Sequence, residues 1–437
     1  MGRIASKFGG TSVADANQFR KVKAILDGDP RRRVVVPSAP GKRHKDDPKV
    51  TDLLYLCHEM AAAKTEFTTP FEQLRQRFLE IEQDLGVDAG MAAELATFHR
   101  EVEAGASRDF IASRGEYFSG RILAAFLGAE FVDPKDYVVM DADGNVQPRT
   151  YAALGQAMAD ETKLYVMPGF YGRDLHGKIK TFSRGGSDIS GAIAARAVMA
   201  ELYENWTDVS GLLMADPRIV KNPCHMDQVT YREIRELSYM GASVFHDEAI
   251  LPVREAKIPI NIKNTNHPLE PGTLIVPVFS ESKYKIAGIA GKKHFCMINL
   301  EKSLMNKEVG FVHNVLGVLA RHGISFEHCP TSIDSMSVIL EEKRLADKGD
   351  IVLDELRRAV NPDRIELMED LALIAIVGED LANTPGMAAK VFTALAGEGV
   401  NVRIINQGAS ELNIIVGVKE DDYEKAVRAL YLAFVTA

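Results

Sequence analysis

The last third of the chain repeats itself. Gly310-Phe311 opens a stretch of helical periodicity that ends at His322-Gly323 and is followed by the strand-like Ile324-Ser325-Phe326. About 76 residues further on, Gly386-Met387 opens a second stretch that ends at Glu398-Gly399 and is followed by Val400-Asn401-Val402. At this offset Val315 falls on Val391, Leu316 on Phe392, Leu319 on Leu395 and Ala320 on Ala396. The strand Val338-Ile339-Leu340 falls on Ile414-Ile415-Val416 without a gap. Each unit reads strand, helix, strand, strand, helix, a small α+β module. Gly323 and Gly399 stand at helix C′ positions, where a positive φ is wanted. Glycines, a helix face and strands that coincide at one offset point to duplication, so this region must fold as two like modules.

Ahead of the repeat, strands alternate with helices. Arg3 to Phe8 and Arg33 to Pro37 read as strands, the second through the β-branched run Val34-Val35-Val36. Between them Asp15 to Leu26 carries apolar residues at helical spacing. Residues from about 52 to 130 read as a mostly helical insertion. Alternation resumes with a strand at Tyr165 to Met167, a helix from Ser190 to Leu202 and a strand at Ile260 to Lys263. This is the pattern of an α/β fold, a mainly parallel sheet covered on both faces. Asn266 to Thr273, with two prolines and a glycine, reads as the exit from this domain. The expected division is therefore 1–280 and 281–437. At 437 residues two or three domains are expected. A net charge of −9 without a long basic run argues against nucleic acid or an anionic membrane as partner. The cysteines Cys57, Cys224, Cys296 and Cys329 form no CxxC pair, which disfavours a disulfide framework or structural zinc and fits a reducing cytosol. No apolar run has the length of a membrane span, and no signal peptide is expected.

Four segments carry chemistry. Lys7-Phe8-Gly9-Gly10-Thr11-Ser12 lies between a strand and a helix. Adjacent glycines let backbone N–H groups approach phosphate oxygens, a helix N-terminus adds positive potential, and Lys7 adds a full charge. There is no GxxxxGK[ST], so this is not a Walker-type loop, and taken alone it is as well read as an ordinary Gly-Gly turn. Thr181 to Ser190 holds Arg184-Gly185-Gly186-Ser187-Asp188 before an Ala-rich helix. Arg184 suits a carboxylate, while Asp188 suits an ammonium or Lys7, or simply caps the helix. Trp206-Thr207-Asp208-Val209-Ser210-Gly211 with Ala215-Asp216-Pro217-Arg218 has the turn chemistry of a ligand loop after a strand, and equally that of plain Asx and Pro turns. Ser113-Arg114-Gly115-Glu116 alone reads as a solvated helix start.

In this order, KFGGTSVA, SRGEYFS, SRGGSD and WTDVSG with ADPR resemble the aspartate kinases of the amino-acid-kinase superfamily, over nearly the whole chain. The resemblance implies a three-layer α/β/α catalytic domain followed by two intertwined ferredoxin-like ACT domains, the first over about 302–371 and the second over about 286–301 plus 372–437. It implies phosphorylation of the side-chain carboxylate of L-aspartate by ATP, with Mg²⁺, to give 4-phospho-L-aspartate and ADP, the committed step to lysine, threonine and methionine. Lys7, Gly9 and Gly10 match positions at the transferring phosphate, and Asp188 matches the acidic residue that organises the centre. Thr51, Glu116 and Arg184 match aspartate-binding positions, and Thr207, Asp208 and Arg218 match nucleotide-binding positions. Feedback by lysine, threonine or both is implied, in a pocket of Met305, Gly310, Phe311, Val312, Phe326 and Glu327. A cytoplasmic homodimer or homotetramer is implied too, without a fused homoserine dehydrogenase. Such chemistry needs no general base, because the nucleophile is a carboxylate already ionised near pH 7. It needs positioning and positive charge, from Lys7, Mg²⁺ and two helix N-termini. No side-chain set at metal-ligand spacing is present, so no protein-held metal is expected.

The chain departs from its relatives at three places. Ser243 and Asp247 stand where many relatives have Lys and Pro, which removes a cationic nucleotide contact. A Tyr near the adenosine is replaced in Leu212-Leu213-Met214. The loop Lys42 to Lys49 is long and charged, and reads either as a solvated loop or as a lid whose Lys42 or Arg43 restores the lost charge. The competing readings are a related kinase of glutamate, N-acetylglutamate, carbamate or UMP, disfavoured by SRGE and the duplicated modules, and a catalytically dead amino-acid sensor, disfavoured by Lys7, Glu116, Arg184 and Asp188.

Overall fold

The structure is a computed structural model that describes residues 2–183, 185–242, 250–278 and 283–435. The chain divides into two compact units. One comprises Met1–Leu212, His225–Ile234 and Val244–Ser280, the other Leu213–Cys224, Arg235–Ser243 and Glu281–Ala437, so neither is an uninterrupted stretch.

The first unit is built on an eight-stranded sheet. Its strands are β1 (Ile4–Phe8), β2 (Arg32–Pro37), β3 (Glu130–Phe131), β4 (Tyr165–Val166), β7 (Leu202–Thr207), β8 (Gln228–Thr230), β9 (Ile260–Asn264) and β10 (Thr273–Val276). The order is β3-β4-β2-β1-β7-β9-β10-β8. Every pairing is parallel except that of β9 with β10. A separate hairpin joins β5 (Tyr171–Arg173) to β6 (Ile179–Thr181). β1 lies between β2 and β7, with Lys7 opposite Val36 on one side and Asn205 on the other. The chain thus leaves β1 in both directions, the place where α/β sheets open a crevice at their C-terminal ends.

Helix α1 (Ala16–Asp27) starts where expected, with the Asp15 carboxylate accepting from the Gln18 N–H at 2.9 Å. Four long helices fill the insertion: α2 (Val50–Ala62), α3 (Thr68–Leu85), α4 (Met91–Glu103) and α5 (Arg108–Leu127). Edge-to-face contacts of Phe118 with Phe78 and Phe98 tie α5 to α3 and α4. Short α6 (Pro134–Tyr137), α7 (Arg149–Ala157), α8 (Gly186–Ala197), α9 (Tyr231–Tyr239) and α10 (Ile250–Glu255) follow.

The helix expected over Ser190 to Leu202 begins four residues earlier, at Gly186 behind the left-handed Gly185, and Leu202 already opens β7. Glycine propensity misleads, because the helix face is packed rather than solvated. Asn266 to Thr273 is not an exit: its Pro-Gly turn reverses the chain into β10, which pairs back onto β9.

The second unit carries a five-stranded antiparallel sheet, order β12-β11-β13-β15-β14. Its strands are β11 (Gly288–Glu301), β12 (Ser335–Glu341), β13 (Arg364–Val377), β14 (Ile404–Asn406) and β15 (Asn413–Lys419). The helices are α11 (Phe311–Arg321), short α12 (Glu342–Leu345), α13 (Gly349–Val360), α14 (Met387–Gly397) and α15 (Tyr423–Val435). Gly323 and Gly399 have φ of +67° and +68°, matching their expected role. The segments expected as strands after them are not. Residues 324–326 form no ladder, the first repeat having an isolated bridge at His328 instead, and in the second the strand begins at Ile404. Both segments spend several residues returning from the helix before any partner strand is within reach. β11 and β13, at 14 residues each, run through both repeats, so the two modules share their central strands. Among the described residues no helix is long and apolar enough to cross a membrane.

Candidate active site

The site gathers at the C-terminal ends of β1, β2 and β7. Side chains alternate along a strand, so Lys7 faces α8 while its neighbours Ser6 and Phe8 face the other way. The Lys7 Nζ lies 2.6 Å from Asp188 Oδ1 in the first turn of α8, and both side chains are largely buried. Asn205, beside Lys7 on β7, donates from Nδ2 to the same Asp188 oxygen at 2.9 Å. Asp188 is therefore more than a cap: it aims the ammonium. On the opposite face the buried Glu204 carboxylate accepts from Ser6 Oγ (2.9 Å), Trp206 Nε1 (2.9 Å) and both Nε and Nη2 of Arg32 (2.8 and 2.9 Å), stitching β1, β2 and β7 together beneath Lys7.

The glycine turn differs from its expected form. Gly10–Val13 is a four-residue 3₁₀ turn, and α1 begins further on with its own cap, so one of the two expected helix N-termini is replaced by backbone N–H groups of a turn. The other, at α8, is present with Gly185 at φ +77°. Gly9 donates to Trp206 O at 2.9 Å, which seats the turn against the end of β7 and its Thr207-Asp208.

SRGE sits inside α5 rather than at a helix start, so the solvated reading fails: Glu116 is 5% exposed. Gly115 makes this burial feasible, since a Cβ there would stand 2.8 Å from Ala39 Cβ and 3.2 Å from Leu54 Cδ1. Ser187 Oγ donates to Glu116 Oε1 at 3.4 Å, while Oε2 has no hydrogen-bond partner among the described residues. Burial pushes the Glu116 carboxyl up to about 7, against the opposing influence of an Ala39 backbone bond, the Ser187 hydroxyl and the Lys7 charge. A buried carboxylate with an unused oxygen is prepared for a cation.

Thr51 is the second residue of α2, half-buried, on the helix that Gly115 lets α5 approach. Thr207 ends β7 and its Oγ1 lies 3.3 Å from Asp208 Oδ1. Asn264 Nδ2 donates to Asp208 O and Ser210 Oγ at 3.3 and 3.0 Å, tying this loop to the end of β9. Arg184, Ser243 and Asp247 lie outside the described residues. Arg218 belongs to the second unit, where its exposed guanidinium forks onto Asp216 beside an open cavity of about 710 Å³ that Lys292, Lys293 and Lys343 also line. The charged loop after Gly41 is not freely solvated: Arg43 is engaged by Asp47 and Glu80, which removes it as a replacement for the lost charge. Among the residues named for regulation, Met305 and Phe311 are core, Gly310 caps α11 at φ +88°, and Val312 and Phe326 are 37% and 40% exposed. Glu327 accepts from the Tyr239 hydroxyl. No local pattern marks Asn205, whose role comes from pairing across the sheet, or Ala39, whose role comes from a loop. Among the described residues, no group of three or more His, Cys, Asp or Glu side chains is placed to hold a metal ion.

The family model for the amino acid kinase family matches residues 2–264, and a model for the ACT domain matches 374–434. The chain belongs to the amino acid kinase family. It is 38% identical over 444 residues to aspartokinase 3 of Bacillus subtilis, covering 98% of both chains. Its structure matches that of Clostridium acetobutylicum aspartate kinase with a TM-score of 0.92 and 48% identity, over 99% of this chain and 100% of that one. It also matches Escherichia coli aspartokinase III, solved with aspartate and ADP, with a TM-score of 0.76 and 28% identity over 99% of both chains. Within the family, the chain belongs with the aspartokinases.

Proposed function

We propose that the chain phosphorylates the side-chain carboxylate of L-aspartate with ATP, giving 4-phospho-L-aspartate and ADP. The observation that carries this reading is the Lys7–Asp188 pair at the mouth of a parallel sheet, next to the glycine turn, with the prepared carboxylate of Glu116 close by. Escherichia coli aspartokinase III has been solved with aspartate and ADP, which supports the same substrates here.

The reaction is a transfer between two anions. A carboxylate oxygen of aspartate forms a bond to the γ-phosphorus, the bond from that phosphorus to the β–γ bridging oxygen breaks, and ADP leaves with the electron pair. No proton has to move. The protein's task is to hold the reactants in line and offset their repulsion. Lys7, held in place by Asp188, and the N–H of Gly10 face the transferring phosphate. The N-terminus of α8 adds positive potential. Glu116, with Thr51 and Arg184, holds aspartate, the carboxylate of Glu116 taking its ammonium group. Thr207 and Asp208 contact the nucleotide. Mg²⁺, which is commonly held by phosphates and water with one or two carboxylates, would be bound as part of MgATP and would supply charge neutralisation on the phosphates.

Residues 1–280 form the catalytic domain, and the ACT domains span about 302–371 and 286–301 plus 372–437, a division supported by the strands that run through both repeats. Lysine, threonine or both act as feedback inhibitors there, supported by a structure of the Escherichia coli enzyme with lysine and aspartate. The protein acts in the cytoplasm as a homodimer or homotetramer. Incubation with L-aspartate, MgATP and hydroxylamine should yield aspartyl hydroxamate, because hydroxylamine traps the acyl phosphate. Failure with aspartate, together with ADP release on glutamate, N-acetylglutamate or carbamate, would reassign the substrate.

A further inference from the structure

Arg77 lies on α3, away from every segment that marks the site in the sequence, and is 4% exposed. Its Nη2 pairs with the carboxylate of Asp47, also 4% exposed, from the long charged loop. Its Nη1 donates to Ala14 O at 3.1 Å and to Gly41 O at 3.2 Å. These carbonyls belong to the two loops that follow β1 and β2. Ala14 ends the turn begun by Gly9-Gly10, and the Gly41 N–H donates to Gly10 O at 2.8 Å. The loops meet backbone to backbone: a Cβ on Gly41 would stand 2.7 Å from Gly10 C, and one on Gly10 would stand 3.0 Å from Ala39 O. Asp47 is held from its other side by the Arg43 backbone N–H at 2.9 Å and by Arg43 Nε and Nη2 at 3.1 and 3.2 Å. Burial alone would raise the Asp47 carboxyl, but hydrogen bonds from Arg43 and the Arg77 charge hold it well below the usual carboxylate range.

One guanidinium thus spans the glycine turn, the Gly41 loop and the charged loop. A buried ion pair is seldom the most stable way to fill such a space, since apolar side chains of similar volume often do as well. Apolar side chains, however, could not hold the Ala14 and Gly41 carbonyls at a set distance from each other. Movement of these loops would therefore be felt where phosphate is expected.

We propose that Arg77 and Asp47 are positioning residues for phosphoryl transfer, which lock the Gly9-Gly10 turn and the Gly41 loop in the spacing that the nucleotide phosphates require. This rests on the reading of Lys7 and the glycine turn as phosphate contacts. Lysine in place of Arg77 keeps the charge but loses the planar fork, so it cannot serve Asp47 and both carbonyls together. In the full-length protein, Arg77→Lys and Asp47→Asn are each expected to lower kcat/KM for ATP by about 10-fold or more, with a much smaller change in KM for aspartate. The double variant should be little worse than either single one, because the two act as a unit. Amide hydrogen exchange at Gly41 should quicken in both. Folded variants with wild-type kcat and KM would overturn the proposal. So would a loss of activity matched by the loss of folded protein, or a failure of both variants to fold, since each marks a merely structural pair. If the wild type does not turn over aspartate with ATP, the functional reading falls, while the exchange rate at Gly41 still reports on the loop lock.

Discussion

Lys7 and Glu116 illustrate two uses of a buried charge. Lys7 has a partner at 2.6 Å and stands where phosphate charge has to be offset. Lys7→Ala should lower kcat by on the order of 10²–10³-fold while leaving KM for aspartate within about 2-fold, as steady-state kinetics would show. Normal turnover would remove Lys7 from the chemistry. Among the described residues no cationic side chain pairs with Glu116, and burial moves its carboxyl from 4.5 to about 7. The protonated form cannot pair with an ammonium, so kcat/KM for aspartate should fall as pH drops below about 7, and Glu116→Gln should raise KM for aspartate at every pH. The folded chain binds this proton more tightly than the unfolded chain. The contribution of Glu116 to stability is therefore most favourable at low pH and declines as pH rises from 4.5 to about 7. At about 1.4 kcal/mol per unit, Glu116→Gln should stabilise the free enzyme at pH 8 by on the order of 1–3 kcal/mol, which urea unfolding would measure. Unchanged stability together with an unchanged KM would mean that Glu116 is not the prepared cation partner.

Among the elements, α5 does most to build the site. It brings Glu116 inward only because Gly115 lets it lie against α2 and the loop after β2. Gly115→Ala gains about 1 kcal/mol of helix propensity but forces apart atoms 2.8 Å from the new Cβ, at a cost of about 1–3 kcal/mol. The expected result is a lower thermal midpoint and a raised KM for aspartate, because Ala39 moves away from Glu116. A variant with wild-type KM would show that the loop after β2 adapts without disturbing the site. The 3₁₀ turn after β1 shows the converse. Its two glycines suggest a helix N-terminus, but the chain spends those residues in a turn, and the dipole comes from α8 alone.

For the molecule as a whole, the shared strands decide how the second unit can respond. β11 and β13 pass through both repeats, and His328 Nδ1 lies 3.0 Å from Asn406 Nδ2, so the first repeat and β14 meet. A ligand that orders one module is therefore felt in the other. A ligand bound to the folded state alone at 100 times its Kd stabilises it by about 2.7 kcal/mol. Lysine or threonine at saturating concentration should accordingly raise the thermal midpoint and lower the rate of hydroxamate formation. If neither amino acid shifts either measurement, feedback through these modules is excluded.

The features legible in the chain are those that near neighbours encode. Strand-forming runs located β1 and β2, apolar residues at helical spacing located α1, and an offset of about 76 residues located the two modules together with their left-handed glycines. The resemblance added the identities of Lys7, Glu116 and Asp188. Those same residues acquire their physical properties from partners far along the chain: Lys7 from Asp188, Glu116 from Ser187, and the glycine turn from Arg77. Burial and pairing across such separations arise when the sheet and the insertion close on each other. That is why SRGE reads locally as a solvated helix start, and the charged loop as either a solvated loop or a lid. In the folded molecule the first holds a carboxyl with a pKa of about 7 and the second an anchored Asp47. Periodicity and turn chemistry depend on spacing along the backbone, whereas desolvation depends on which surfaces meet.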